Sequence, residues 1–347
     1  MGLEEFAVTD RTAELDKKIS RLEDDLRLAK GRADAAEKRM HEAERLREMV
    51  FGLAETPLTP PEWATEKSKA GDAPHVPVLV TSDFQWGEVI NKANMDGINE
   101  YSVKIAKARY QRLIDKTIDI SFEHLPRNRY DGMIYLRLGD SVSGDIHDEL
   151  RRTNELSGVT AIPSLVETES WGLEQLAQAF KKVHVISVPG NHGRTTLKPP
   201  SKRVEENYDW LASCWLEREF KGDARITWQT PLSTDAVFEI HRRKYLATHG
   251  DNIGTRGGMG FVGPVATISR GATLTMREYA ARGITIDKMF IGHFHSAFDF
   301  GRGWSNGSLP GYSEYARAGR MTPEPPQQWL LYFHPKYGAT SQWKILL

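Results

Sequence analysis

The sequence has almost no cysteine: Cys214 is the single one among 347 residues. One thiol cannot form an intramolecular disulfide or a cysteine-based zinc site, and the apolar neighbours in WLASCWL favour a buried structural thiol over a nucleophile. The sequence also lacks the roughly 20-residue apolar run of a membrane helix, and its start, MGLEEFAVTDRTAEL, is unlike a signal or transit peptide. These absences predict a protein of the reducing cytoplasm with no membrane partner.

An excess of either charge is missing as well. Lys and Arg together number 46, Asp and Glu 47, and the formal net charge is -1. A protein whose whole surface clamps duplex nucleic acid needs a strongly positive balance, because it binds by releasing the counterions of the phosphates. That class is disfavoured, whereas a local basic surface stays compatible with the composition.

Residues 15–50 repeat apolar side chains in steps of four and three, beginning with Leu15, Ile19, Leu22 and Leu26, and charged residues fill most other positions. This heptad pattern predicts an N-terminal coiled-coil helix within residues 1–51 that joins copies of the chain into a homo-oligomer. The alanine-rich second half and Gly31 weaken the seam. A single charged helix that folds back on its own domain or frays is the alternative.

The next segment, residues 52–75, is rich in proline and is predicted to be a linker. From residue 76 to 347, short apolar runs alternate with amphipathic stretches near residues 97–120, 165–182 and 203–219, which predicts an α/β domain. The strand candidates are VPVLVT, MIYLRL, VHVISV, ITWQT, AVFEI, KYLATH, MFIGH, WLLYFH and QWKILL.

Polar residue types that bind metals follow five of these strand candidates. They are Asp83 and Gln85, Asp140, Asn191 and His192, His249, and His293 and His295. The carboxyl ends of strands in α/β sheets border the ligand-binding crevice, so these loops are predicted to converge. Taken singly, each has a structural explanation, since an Asp there often caps a turn and a His is often a hydrogen-bonded core residue.

In this order the motifs resemble those of the calcineurin-like metallophosphoesterase superfamily, D-x-H, G-D, G-N-H, a histidine and G-H-x-H. The resemblance implies an α/β sandwich of two sheets flanked by helices. It also implies two divalent metal ions, the first held by Asp83, Gln85 and His295, the second by Asn191, His249 and His293, with Asp140 bridging them. In such enzymes a hydroxide that bridges the ions attacks the phosphorus in line, and His192 would act as the general acid.

Two departures from the family pattern affect the predicted chemistry. Gln85 stands where relatives usually have a histidine, and its amide oxygen is a harder donor, so the first site is expected to favour manganese or magnesium. For the pair of ions manganese is predicted, with magnesium, iron or zinc as alternatives. Arg194 stands where relatives usually have an acidic residue after G-N-H, which predicts a phosphate clamp beside His192. An exposed loop arginine is the alternative for Arg194.

The substrate is predicted from weaker signals. The stretch GDSVSGDIHDEL lacks the D-R-G of Ser/Thr phosphoprotein phosphatases, while GDIH and NGSLPGYSEYA resemble bacteriophage-encoded members, which would place the protein in a host cytoplasm. A basic and aromatic surface would suit single-stranded or frayed nucleic-acid ends, and it comprises Arg194, Lys198, Lys202, Arg203, Phe84, Trp86, Phe294, Trp304 and Tyr312. Packing of the aromatic residues and a solvated face for the basic residues are the alternatives. A phosphodiesterase or nuclease similar to DNA-repair exonucleases is therefore predicted. A small-molecule phosphodiesterase or phosphomonoesterase, and a non-catalytic scaffold, are the alternatives.

Overall fold

The computed structural model describes residues 3–53, 60–65, 75–125, 129–197, 204–253 and 263–347. The chain divides into two compact units, Met1–Ala54 and Glu55–Leu347. None of the described helices combines the length and the apolar character that crossing a membrane requires.

The first unit is one long helix, α1 (Leu3–Leu46), followed by a π-helical turn over Arg47–Phe51. The turn ends at Gly52, which has a left-handed backbone with φ of 62°. Ile19, Leu22 and Leu26 of the predicted seam are 51%, 58% and 55% exposed. The predicted N-terminal helix is therefore present, and pairing of its apolar seam with a second copy stays a prediction.

The second unit contains all the strands and seven helices of the described residues. Its helices are α2 (Glu62–Thr65), α3 (Val103–Asp119), α4 (Asp148–Thr153), α5 (Gly158–Phe180), α6 (Tyr208–Glu219), α7 (Gly263–Ala281) and α8 (Glu314–Ala318). Its strands are β1 (Val76–Thr81), β2 (Met133–Arg137), β3 (Val183–Ser187), β4 (Ile226–Gln229), β5 (Asp235–Ile240), β6 (Arg243–Thr248), β7 (Lys288–Ile291), β8 (Phe298–Asp299), β9 (Gly303–Ser305), β10 (Gln327–His334) and β11 (Gly338–Leu346).

Part of the predicted linker belongs to this second unit. α2 lies within it, its Ala64 is buried among strand residues, and the amide of His241 donates to the Ala64 carbonyl. Residues 54–59 and 66–74 of the predicted linker lie outside the described residues.

The first sheet has the strand order β11-β10-β1-β2-β3-β4. β1, β2, β3 and β4 run parallel, and β10 and β11 add to the sheet in antiparallel orientation. Every residue of β1, β2 and β3 is buried. Strands covered on both faces require such continuous apolar runs, which is why these three were predictable from the sequence.

The second sheet has the order β5-β6-β7-β9-β8. β5 and β6 form a hairpin whose two-residue turn, His241 and Arg242, has positive φ at both positions, as a type I′ turn requires. β6, β7 and β9 run parallel. The carboxyl ends of β6 and β7 therefore lie at one edge of this sheet.

Three apolar cores define four layers. Val80, Leu136 and Leu331 of the first sheet pack against Phe238 and Phe290 of the second. The outer face of the first sheet is covered by α3, α5 and α6, and the outer face of the second by α7. The predicted α/β sandwich of two sheets flanked by helices is thus confirmed. α7 was not predicted from the sequence, and Cys214 is buried and forms no disulfide, as predicted.

A buried polar cluster links the two sheets close to the end of β1. The Asn306 side-chain amide donates to the Val80 carbonyl at 3.2 Å and to Gln328 Oε1 at 2.6 Å. Gln328 Oε1 in turn accepts from the Ser82 amide at 2.9 Å. The NGS stretch therefore has a structural role, because it fixes the backbone that immediately precedes Asp83.

Candidate metal centre

All five predicted loops meet at one edge of the sandwich. The loops after β1, β2 and β3 carry Asp83, Asp140 and Asn191, and those after β6 and β7 carry His249 and His293. Two hydrogen bonds join the sheets here. His249 Nδ1 bonds the Leu138 carbonyl at 2.7 Å, and the His293 amide donates to Asp83 Oδ2 at 3.0 Å.

Asp140 lies at the centre of this group and is buried. Its Oδ2 is 3.1 Å from His249 Nε2 and 3.3 Å from Gln85 Nε2. Its Oδ1 accepts from the backbone amide of His192 at 2.7 Å. The single carboxylate therefore touches residues from three other loops, as a bridging ligand would have to do.

His249 connects Asp140 to the remaining residues of one predicted metal site. Since a carbonyl oxygen only accepts, the bond to Leu138 assigns the hydrogen to Nδ1 of His249 and leaves Nε2 facing the site. This Nε2 is 3.0 Å from Asn191 Oδ1, and the His249 and His293 rings lie 5.1 Å apart. Ligand atoms of Asp140, His249 and His293 all lie within 4.8 Å of one another, close enough for one ion.

The other predicted metal site contains Asp83, His295 and Gln85. Asp83 is fully buried, and its Oδ1 lies 3.3 Å from His295 Nε2. Gln85 donates its amide hydrogen towards Asp140, and its Oε1 is buried without a hydrogen-bond partner. A buried amide oxygen left unpaired costs free energy unless a donor or cation satisfies it. Gln85 therefore fits a hard metal ion that contacts Oε1.

The seven predicted ligands form one continuous chain of contacts, and five of them have an unusual backbone. Positive φ is rare for residues other than glycine and costs free energy that a functional site commonly offsets elsewhere. The five are Asp83 (52°), Gln85 (48°), Asp140 (50°), His293 (68°) and His295 (53°). The chain holds these donors in one place against its own conformational preference.

The glycine of G-N-H is required by close packing. A Cβ on Gly190 would lie 2.1 Å from Asp140 Oδ1 and 2.3 Å from the Asp140 amide nitrogen, closer than any side chain permits. The Asp140 and Asn191 loops can therefore approach only because residue 190 has no side chain.

Neighbouring charges at the site shift the pKa values of Asp140 and of the histidines around it. Burial would lower the pKa of His249, but the adjacent Asp140 carboxylate outweighs it and raises that pKa to about 10. Burial would raise the pKa of Asp140, yet His249 and His192 hold it below its usual value. His293 behaves differently, because burial and then the charge of His249 lower its pKa to about 4. His293 therefore offers a neutral imidazole to a metal near neutral pH.

His192 sits at the side of Asp140 with its ring orientation fixed. Its Nδ1 bonds the Ser143 carbonyl at 2.8 Å, so Nδ1 carries the hydrogen and Nε2 faces Asp140 Oδ2 at 3.9 Å. The exposed ring of His147 lies 5.2 Å from the His192 ring. Nε2 of His192 is therefore the nitrogen available to a substrate.

Arg194 makes an ion pair with Asp251, two residues beyond His249. The sequence had not singled out Asp251, since an acidic residue two positions after a histidine carries no specific signal. The other basic residues of the predicted basic and aromatic surface, Lys198, Lys202 and Arg203, lie outside the described residues.

Packing, the alternative to an aromatic platform for nucleic acid, holds for three of the five aromatic residues near the motifs. Phe84, Trp86 and Trp304 are buried in the apolar cores and cannot stack on a base. Proximity of these residues to the motifs does not reveal which face of the sheet they occupy. Phe294 and Tyr312 are half-buried.

Sequence patterns also missed Asp209, a fully buried carboxylate near the start of α6. It accepts from the amides of Asp140, Ser141 and Gly190 at 2.9, 2.9 and 2.8 Å. Burial and the nearby Asp140 charge raise the pKa of Asp209. An acidic residue in the first turn of a helix is common, and its sequence context gives no sign of these contacts.

No protein-family model and no curated protein matches this chain. Among solved structures, the chain is similar to a conserved uncharacterized protein from Streptococcus pneumoniae TIGR4 that is described as a predicted phosphoesterase. The two share 10% sequence identity with a TM-score of 0.29, over 78% of this chain and 98% of the other. A similarity this distant assigns no activity, so the function rests on the geometry of the site.

Proposed function

We propose that this protein is a metal-dependent phosphoesterase whose two ions are held by the seven clustered residues. The observation that carries the proposal is the cluster itself: two carboxylates, three imidazoles and two amides from five loops touch one another, five of them on left-handed backbone. A buried acceptor on Gln85 without a partner supports a cation at the same place.

The donor set suits hard or borderline divalent ions, with manganese preferred and magnesium, iron or zinc also accommodated. When bound, two such ions would supply Lewis-acid charge to the phosphate oxygens and activate a water. The carboxylates of Asp83 and Asp140 carry two negative charges and so offset only half of the four positive charges of the two ions. The site would thus attract a phosphate ester.

His192 is assigned the general acid. The Ser143 carbonyl fixes Nδ1 as a donor, so protonated His192 presents its second hydrogen on Nε2. Donation from Nε2 to the departing alkoxide would then neutralise the leaving group.

Arg194 is assigned a contact with a non-bridging phosphate oxygen. Asp251 holds its guanidinium by one ion pair, which leaves other N–H groups of the fork free to donate. Loss of Arg194 is therefore expected to raise the KM for a phosphate ester more than it lowers kcat.

A phosphodiester of nucleic acid is the inferred substrate. The exposed ring of His147 lies beside His192, and α4, which begins after His147, carries the exposed Arg151 and Arg152. Burial of Phe84, Trp86 and Trp304 removes most of the stacking surface and favours the second candidate, a small-molecule phosphodiester or phosphomonoester.

The test is hydrolysis by the purified chain with Mn²⁺ of bis-p-nitrophenyl phosphate, single- and double-stranded DNA, RNA, cyclic nucleotides and p-nitrophenyl phosphate. His192→Ala should retain the metal and lower turnover of unactivated esters by about 10²–10⁴-fold. His124→Ala, at an exposed position outside the cluster, is the control. Absence of both bound metal and turnover in the wild type would instead favour a non-catalytic scaffold.

We further infer that α1 joins two or more copies of the chain. Its exposed Ile19, Leu22 and Leu26 follow the heptad spacing, and pairing with another α1 would remove them from water. Leu26→Asp should reduce the mass measured by light scattering. Leu28→Asp, at an equally exposed position outside the seam, should leave it unchanged, and equal masses for all three proteins would contradict the inference.

A further inference from the structure

Asp209 lies directly beneath the loops that carry the central ligands. One oxygen, Oδ2, accepts from the amides of Asp140 and Gly190, and the other, Oδ1, accepts from Ser141. These amides belong to two loops, one after β2 and one after β3. The Asp209 carboxylate therefore ties the loop of the bridging residue to the loop of Asn191.

Capping of α6 does not explain this carboxylate. Asn207 is the N-terminal cap, since its side-chain oxygen accepts from the Asp209 amide at 2.7 Å. The Asn207 side-chain nitrogen also donates to the Gly190 carbonyl at 2.9 Å. Gly190 thus donates its amide hydrogen to Asp209 and accepts at its carbonyl from Asn207.

The Asp140 and Gly190 backbones need strong hydrogen-bond acceptors to hold them together. Asp140 has a left-handed backbone with φ of 50°, and residue 190 packs against it more closely than a side chain would allow. A buried charge next to another carboxylate is unfavourable on its own, and three amide donors compensate it.

We propose that Asp209 is a positioning residue that sets the separation of Asp140 and Asn191 and thereby allows the second ion to bind. The proposal rests on the proposed two-metal function. Asp209 does not touch substrate or metal, so its effect passes through the backbone of the two loops. Loss of such an outer partner typically weakens metal binding or activity by about 10–100-fold.

Asp209→Asn is the most informative substitution, because it preserves volume but offers one acceptor oxygen and an amide hydrogen that opposes a backbone N–H. Mn²⁺ titration should show the second ion binding about 10–100-fold more weakly. The EPR spectrum should change from that of a coupled manganese pair to the hyperfine pattern of an isolated ion. kcat should fall while the KM for bis-p-nitrophenyl phosphate changes little.

The matched control is Thr117→Val, at a fully buried polar residue of α3 whose hydroxyl donates to the Leu113 carbonyl and to none of the metal loops. Asp209→Glu retains both acceptor oxygens and the charge, so it should bind the second ion more tightly than Asp209→Asn. If Asp209→Asn does not fold, the affinity of Asp209→Glu for the second ion is compared with that of the wild type instead.

If the wild type binds two ions and Asp209→Asn gives the same spectrum of a coupled pair, this inference is wrong, while the proposed function stands. Tighter binding of the second ion by Asp209→Asn than by Asp209→Glu would also overturn it, and so would an equal loss in Thr117→Val. If the wild type itself binds no pair of ions, the proposed function fails, and this inference fails with it.

Discussion

Gln85 is the ligand at which this chain departs from the usual motif, and it can be tested by metal-dependent stability. We consider Gln85→Met, which removes the amide oxygen at similar volume, and Gln85→His, which offers a nitrogen. Neither replacement is β-branched, so the left-handed backbone at φ of 48° should cost a similar amount in all three proteins.

The expected effect of losing Oε1 on thermal stability follows from how tightly the folded protein binds the metal. At an Mn²⁺ concentration 100 times its Kd, binding stabilises the folded wild type by about 2.7 kcal/mol. If Gln85→Met weakens that Kd about tenfold, the same concentration stabilises the variant by about 1.4 kcal/mol. The difference, about 1.3 kcal/mol, corresponds to roughly 2 °C in the metal-induced rise of Tm for a domain of this size.

The assay is thermal unfolding of the three proteins with and without Mn²⁺ or Zn²⁺. Gln85→Met should lose part of the manganese effect, and Gln85→His should gain a larger zinc effect than the wild type, because imidazole suits the softer ion. Equal metal-induced shifts in all three proteins would show that Gln85 contacts no ion.

Two other predictions concern buried charge. Glu169→Gln leaves Arg137 buried without the carboxylate at 2.7 Å, and the free energy of unfolding should fall by about 3–5 kcal/mol. The control Glu174→Gln, in the exposed pair with Arg225, should lose less than about 1 kcal/mol. Equal losses for the two variants in urea denaturation would contradict this prediction. Burial lowers the pKa of His184 to about 4, so the unfolded chain binds the extra proton first and stability should drop by about 2 kcal/mol between pH 7 and pH 5. His184→Gln should remove that part of the drop, and an unchanged pH profile would refute the assignment.

The elements that were predictable are those with a simple physical signature. β1, β2 and β3 are buried on both faces and appear as unbroken apolar runs, and the ligands follow them within a few residues. Two features lack that signature. α7 contains small and polar residues among its apolar ones, and Asp209 lies on a helix remote in sequence from the loops it binds.

Side-chain partners were harder to predict than positions. Trp86 and Phe84 flank Gln85 in sequence, yet both are buried in the core of the first sheet, whereas Gln85 contacts Asp140. Arg194 was predicted as a clamp from its place beside His192, whereas its ion pair with Asp251 depends on how two loops from different sheets meet.

The division of the site between two sheets links metal binding to packing. Asp83, Asp140 and Asn191 follow strands of the first sheet, and His249, His293 and His295 follow strands of the second. The sheets are held together by the inter-sheet apolar core and, at the site, by the His249–Leu138 and His293–Asp83 hydrogen bonds. Because a bound ion would need donors from both sheets, any slip of one sheet against the other would separate its ligands. Stabilisation by metal should therefore extend to the whole sandwich rather than to the loops alone.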